Sequence, residues 1–404
     1  MRLWSAQAIS AFGSRITRTA LPIIAVVSLG EPESIVGALV ALQLAPGVLL
    51  ALVAGGFVDR GRKRRILIAA DVIRAAAIAS LTVAWALGAL SVVHVIAVGC
   101  VVGAATSLFQ IADVAYLPSL LAPDELVEGN SKLETTEAIA EITGPASAGA
   151  LIAALGAPLA VAIDAASYLW SAVMLGRIRT PDAPAASAGS TRGDLRLGLR
   201  TVFGHAQVRP IVLTLMVWSI VGGVFSALYP VYCLRELHLS ESLFGVIIAL
   251  GGIGALGGAL ISRRLAAAYG TGPTLIATAM LSLASMLFIP MAHGSSAQDL
   301  AFLAAQQFIG DGFAVAFVIQ ATSLRQTVLP KELLGRANAA ILACTAGVMP
   351  GTALVAGWLA QAIGTRDAVW IGVSIGLVGP LFLLPLRDLR APVAPPAASA
   401  PPVR

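Results

Sequence analysis

The chain has 404 residues, 58% of them hydrophobic and only 12% charged, with a mean hydropathy of +0.88. Its 26 basic and 21 acidic side chains are too few to coat a soluble fold of this size, in which about a quarter of residues are charged. Composition therefore excludes a soluble domain, and the net charge of +5 reads as basic membrane-flanking loops and not as a nucleic-acid surface.

At about 20 residues per crossing, hydropathy divides the chain into twelve apolar spans, an all-α polytopic membrane fold. The opening MRLWSAQAIS runs into an apolar segment with no small-residue cleavage site, so it is expected to stay as the first span. Six spans run from Trp4 to Leu29, Ser34 to Val58, Ile66 to Gly88, Val92 to Tyr116, Asn130 to Leu155 and Ala157 to Gly176. Six more run from Pro210 to Leu234, Ser242 to Ser262, Pro273 to His293, Gln298 to Ser323, Ala337 to Ile363 and Ala368 to Leu386. The expected organisation is an N-terminal six-helix bundle at 1–176, a cytoplasmic connector at 177–209, a C-terminal six-helix bundle at 210–386 and a cytoplasmic tail at 387–404.

In the connector, PDAPAASAGS has linker composition. The following GDLRLGLRTVFGHAQVR suits either a helix lying on an anionic leaflet or a solvated linker. Of the 26 basic residues, the loops on one side hold only Arg235 and Arg366. Arg60, Lys63, Arg64, Arg65 and most of the others fall on the opposite side, which places both termini in the cytoplasm of a cell with the chain in its inner membrane.

The chain repeats itself at an offset of 208 residues: Pro22 with Pro230, Ser34 with Ser242, Gly37 with Gly245, Asn130 with Asn338, Gly149 with Gly357 and Gly156 with Gly364. The pairs fall at corresponding places in the two halves, as expected of two parallel six-helix repeats.

Polar side chains inside a bilayer are costly and turn inward. Gln7, Ser14, Arg15 and Arg18 share a face of the first span; Thr106, Gln110 and Asp113 share one of the fourth; Asn130, Glu134, Glu137 and Glu141 share one of the fifth. Arg15 and Arg18 are expected to pair with the fifth-span acids or to touch a substrate. In the tenth span, Gln307 and Asp311 lie four apart, and a carboxylate at that depth could carry a proton, meet a cationic substrate or be held structurally. Trp218, Phe225, Tyr229 and Tyr232 run down one face of the seventh span, suiting an apolar or aromatic substrate or, for the outer tyrosines, interfacial anchoring. Gly252, Gly254 and Gly257 form GxGxxG inside an apolar span, where helix packing accounts for it. Cys100, Cys233, Cys344 and the four histidines are scattered, so no metal site, cofactor or enzymatic triad is expected.

The loop GGFVDRGRKRR, with Gly55, Asp59, Arg60, Arg64 and Arg65, resembles the signature loop of the major facilitator superfamily, with Gly61 one place before the usual second glycine and Arg62 in its position. QAISAFGSRITRTALP, AYLPSLLAPDELVEGNSKLE, GPASAG and IDAASYLW resemble its enterobactin-exporter and macrolide-efflux subgroup. Gly144, Pro145 and Gly149 partly match the Gly-Pro-x3-Gly-Gly element of exporters and form a candidate hinge, while the Arg-bearing fourth span of classical drug/proton antiporters is missing.

The resemblance implies a secondary active transporter working by alternating access, in which Asp59 and the basic run act as a conformational latch. Spans one, four, seven and ten would line a central cavity. Spans three and six would be peripheral, leaving Asp71 and Arg74 as a local ion pair and Asp164 away from the site. The implied function is export of a hydrophobic or amphipathic small molecule, with protons as coupling ion and a monomer in the lipid bilayer. Import by a proton symporter or facilitator, and a non-transporting scaffold or sensor, are the alternatives.

Overall fold

The computed structural model describes residues 2–53, 61–117, 120, 126–178 and 191–390. Gly55, Asp59 and Arg60 lie outside them, as do the side chains of Glu134, Glu141 and Pro145. No strand occurs among the described residues.

Among the described residues, six long helices precede the connector: α1 Arg2–Ile23, α2 Glu33–Val53, α3 Lys63–Ala86, α4 Val92–Tyr116, α5 Leu126–Leu155 and α6 Ala157–Gly176. The connector holds α7, Thr191–Gly204. After it come α8 Val208–Val231, α9 Glu241–Tyr269, α10 Thr271–Ser285, the single turn α11 Phe288–Met291, α12 Ala297–Val328, α13 Lys331–Ile363 and α14 Thr365–Gly376, which continues as a 3-10 helix over Gly379–Leu386. Ten of the described helical segments are long and apolar enough to cross a membrane. α1 falls outside that group because Arg15, Arg18 and the other polar residues of its stripe lower its hydropathy.

The helix ends follow local chemistry. Ser91 and Ser240 cap α4 and α9 by accepting the backbone N–H of His94 at 3.3 Å and of Leu243 at 3.2 Å. Ser296 and Asp299 form a reciprocal capping box at the start of α12. Single glycines join α5 to α6, α9 to α10 and α13 to α14, with φ of 78° at Gly156 and 93° at Gly270 and Gly364, a region that side chains bearing a Cβ disfavour. Pro22 and Pro230 each remove a helical donor near the end of their helix, and π-helical turns follow at Ile24–Ser28 and Tyr232–Glu236. These features recur at the 208-residue offset, so the repeat marks helix joints and irregular turns.

The sequence boundaries fit closely for α4 and α6. α9 extends past the expected end at Ser262 to Tyr269, because Arg263 and Arg264 end the apolar run without breaking the helix, and Gly270 does end it. α7 resolves the two readings of the connector differently from either. Its Val202 is fully buried and Leu195, Leu199 and Phe203 pack with Val208, Val212, Ala337, Ala340 and Ile341, so its apolar face docks on α8 and α13.

Within the first set of six, α1 packs on α5 and α6, α3 on α4 and α6, and α2 on α4. Within the second, α12 packs on α9 and α10, and α8 on α13 and α14. The two sets meet mainly where α2 crosses α13 and α5 crosses α9. Glycine makes both crossings possible. A Cβ on Gly37 would lie 2.6 Å from the Ala353 carbonyl oxygen and 3.0 Å from Gly357 Cα. One on Gly245 would collide with the Gly149 carbonyl oxygen and lie 3.0 Å from the Ala153 nitrogen. The pairs Gly37/Gly357 and Gly245/Gly149 are images of each other at the 208 offset.

Polar contacts flank both crossings at the end of the molecule remote from the termini. Arg235 reaches across to Glu33 at 3.2 Å and donates to the Glu31 carbonyl oxygen. Glu241, the repeat partner of Glu33, accepts from the backbone N–H of Ala157 at 3.1 Å, and the Ser242 hydroxyl donates to the Ala153 carbonyl oxygen at 2.8 Å.

Candidate functional site

A cavity of about 470 Å³ opens in the first set of helices, in the half of the molecule nearer the termini. α1 contributes Gln7, Ser10, Ala11 and Ser14; α4 contributes Thr106, Phe109, Gln110 and Asp113, followed by Leu117 at its C-cap; α5 contributes Leu133, Thr136 and Glu137; α3 contributes Arg74. The helical stripes of α1, α4 and α5 thus converge on one space.

The Gln7 side-chain amide donates to Asp113, tying α1 to α4. Arg15 pairs with Glu137 at 3.7 Å, tying α1 to α5 as the sequence suggested. Gly144 leaves room for that arginine: a Cβ there would lie 3.0 Å from Arg15 Cβ. Arg18 is exposed, one turn further along α1.

Arg74 was expected at the periphery and is instead a wall of the cavity. It is 2% exposed and paired with Asp71, which is fully buried. Its guanidinium lies between two rings, 4.5 Å from the Phe109 centroid and 4.1 Å from that of Tyr168, an arrangement favoured by the ring quadrupoles. Asp164 is also fully buried, not remote: Thr17 of α1 binds its carboxyl group, and Ser167 lies 3.0 Å from Oδ1. Gly13 opens the space, since a Cβ there would collide with Ser167 and Asp164. The sequence signal was present in the spacing of Gln7, Ser10, Ser14 and Thr17 along α1, one polar face running past the cavity to α6. Assigning α3 and α6 to the periphery by resemblance hid it.

The candidates of the second set do not line this cavity. Trp218 stacks on Phe317 at 5.2 Å between ring centroids. Phe225 stacks on Tyr229 at 4.4 Å, and Tyr229, 2% exposed, also meets Phe244 at 5.4 Å. Asp311 of α12 packs against Gly251 of α9, where a Cβ would collide with its carboxylate, and no hydrogen bond reaches that carboxylate among the described residues. Gln307, one turn away, is 3% exposed, and its side-chain carbonyl has no hydrogen-bond partner among the described residues.

Of the proposed latch, Arg64 and Arg65 are described. Arg64 opens α3 and donates to the carbonyl oxygens of Leu175, at 2.8 Å, and Gly176, so it satisfies the exposed acceptors at the end of α6. Arg65 is exposed. Gly149, from the candidate hinge, sits at the α5 and α9 crossing. No group of three or more metal-ligating side chains occurs among the described residues.

A family model described as the Major Facilitator Superfamily matches residues 3–350. The chain belongs to the Major Facilitator Superfamily. It is therefore a multi-pass membrane transporter protein and not an enzyme. Its sequence is similar to that of the multidrug efflux pump Tap of Mycolicibacterium fortuitum, 25% identical over 364 residues that cover 85% of this chain and 86% of that one. A second relative, the uncharacterized MFS-type transporter y4rN of Sinorhizobium fredii, is 26% identical over 151 residues, 37% of each chain. The fold is similar to that in the solved structure of a bacterial homologue of the iron transporter ferroportin in an inward-facing state, with a TM-score of 0.71, 16% identity and coverage of 96% of this chain and 98% of that one.

Proposed function

We propose that this superfamily member exports a hydrophobic or amphipathic small molecule by alternating access, in exchange for protons. The observation that carries the reading is the cavity: its volume suits a drug-sized ligand, and it combines Phe109, Leu117 and Leu133 with amide, hydroxyl and carboxylate groups. The glycine crossings close the remote end while this cavity lies in the other half, an arrangement suited to one state of an alternating cycle. Tap, a multidrug efflux pump, supports the outward direction.

In this reading the helices of 1–176 and 210–386 rock as two bodies, with cytoplasmic termini and the connector 177–209 between them. Arg15, Arg18, Gln110, Asp113, Glu134, Glu137 and Glu141 form the polar side of the route. Trp218, Phe225 and Tyr229 offer apolar surface from the second body as it moves. Gly55, Asp59, Arg60, Arg64 and Arg65 latch the cytoplasmic side, Gly144, Pro145 and Gly149 permit flexing, and Asp311, with Gln307 one turn away, carries the proton.

The test is transport by the purified full chain in liposomes of defined orientation, using a panel of fluorescent amphiphiles with and without an imposed pH gradient. Uphill movement of a probe out of the cytoplasmic-side compartment, driven by the gradient and weakened at least tenfold by Asp311→Asn, is the expected result. Gradient-driven accumulation on the cytoplasmic side establishes import instead, and absence of flux for every probe contradicts the proposed cargo class.

A further inference from the structure

The first set of helices buries three charged side chains together: Asp71, Arg74 and Asp164, at 0%, 2% and 0% exposure. With both carboxylates ionised this group carries one uncompensated negative charge away from water, a costly state in a bilayer interior. The contact pair of Asp71 with Arg74 is neutral. The excess therefore falls on Asp164, which has hydroxyl groups and no guanidinium as hydrogen-bonding partners among the described residues.

The hydrogen bonds around Asp164 point the same way. Ser167 Oγ lies 2.8 Å from the Asp164 backbone carbonyl oxygen and 3.0 Å from Asp164 Oδ1. A serine hydroxyl has one proton. When that proton goes to the shorter contact, the carbonyl oxygen, which can only accept, Ser167 Oγ is free to accept at Oδ1, and a carboxyl proton completes that second contact. A neutral carboxyl group satisfies the whole arrangement.

We propose that Asp164 binds a proton in the resting protein, and that Arg74 transmits the occupancy of this site to the cavity wall. Loss of the proton returns a net negative charge to the buried group. Arg74, held between the rings of Phe109 and Tyr168 and lining the cavity, then balances two carboxylates in place of one, which changes the charge presented at the cavity wall. The charged and titratable neighbours fit this account. α3 supplies Asp71 and Arg74, α6 supplies Asp164 and the neutral phenol Tyr168, and α4 supplies Asp113, which already accepts from Gln7. α1 faces Asp164 with Thr17, while its Arg15 turns to Glu137. The site lies in the opposite half of the chain from Asp311 and requires no substrate.

Infrared difference spectroscopy of the purified full chain tests the proposal without a transport assay, so its failure is distinguishable from failure of the proposed export function. The wild-type minus Asp164→Asn spectrum at neutral pH should show loss of one protonated-carboxyl C=O band. Asp311→Asn should leave that band in place. Loss of a carboxylate band in the Asp164→Asn difference would mean that Asp164 is ionised, which overturns the proposal. Should Asp164→Asn fail to insert, Thr17→Val keeps the carboxyl group and removes one partner: a shifted protonated band supports the assignment, and an unshifted one contradicts it. In liposomes, Asp164→Asn should reduce the response of probe transport to a pH gradient at least tenfold. An unchanged response would contradict coupling through this site.

Discussion

At the scale of single residues, Arg74 shows how burial converts an ordinary i,i+3 ion pair into a structural commitment. An exposed pair contributes at most about 1 kcal/mol, but removing one partner of a buried pair costs about 3–5 kcal/mol because the other charge is stranded. Arg74→Met should therefore lower thermal stability in detergent substantially, and Asp71→Asn/Arg74→Met should recover most of the loss. The Arg74→Met deficit should be greatest at alkaline pH and shrink on acidification, since a proton can then neutralise Asp71 in place of the guanidinium. Melting curves across pH check this, and a pH-independent deficit would contradict it. The residue types were legible in the sequence: charges within apolar spans have to find partners, and Arg15 with Glu137 and Asp71 with Arg74 did so. Their depth was not legible. Helical spacing defines which face a residue occupies, but only the packing of α1 on α6 reveals that this face buries Asp164.

At the scale of helices, the crossings of α2 on α13 and α5 on α9 depend on absent side chains, while the ion pair beside them adds little. Arg235 and Glu33 keep 32% and 18% side-chain exposure, so breaking their contact by Arg235→Ala should cost about 0.2–1 kcal/mol. That corresponds to less than about a fivefold change in the population closed at the remote end. Gly149→Leu inserts a side chain where even a Cβ meets the Ala249 nitrogen at 3.1 Å. Overpacking of this kind costs about 1–3 kcal/mol, or about five- to 140-fold in the same population. Distances between spin labels on α2 and α13 should show a clearly larger shift to the separated state for Gly149→Leu than for Arg235→Ala, and equal shifts would refute the ranking. The sequence repeat anticipated these glycines as internal symmetry. It could not show that Gly37 meets Gly357 and Gly245 meets Gly149, because a linear repeat does not specify which helix of one half faces which helix of the other.

At the scale of the molecule, hydropathy and helix-end chemistry made the order of the helices readable, since a bilayer-spanning backbone has to satisfy its own hydrogen bonds. The connector was less readable because amphipathic α7 suits lipid and protein surfaces equally, and its docking on α8 and α13 depends on tertiary packing. The distribution of basic residues predicts a cytoplasmic connector, so Ser187→Cys in an otherwise cysteine-free background should react with an impermeant maleimide only from the cytoplasmic side. Labelling in intact cells would reverse the assigned topology. In the proposed cycle, transport requires separation of the two helical bodies at the remote end. In the same background, Glu33→Cys/Arg235→Cys joined by a short, reducible bis-thiosulfonate linker tests it most directly in proteoliposomes. The linked protein should lose at least 90% of probe transport, a tenfold effect on the scale of the crossing energies, and regain it when the linker is reduced. Full transport with the linker intact would contradict the account.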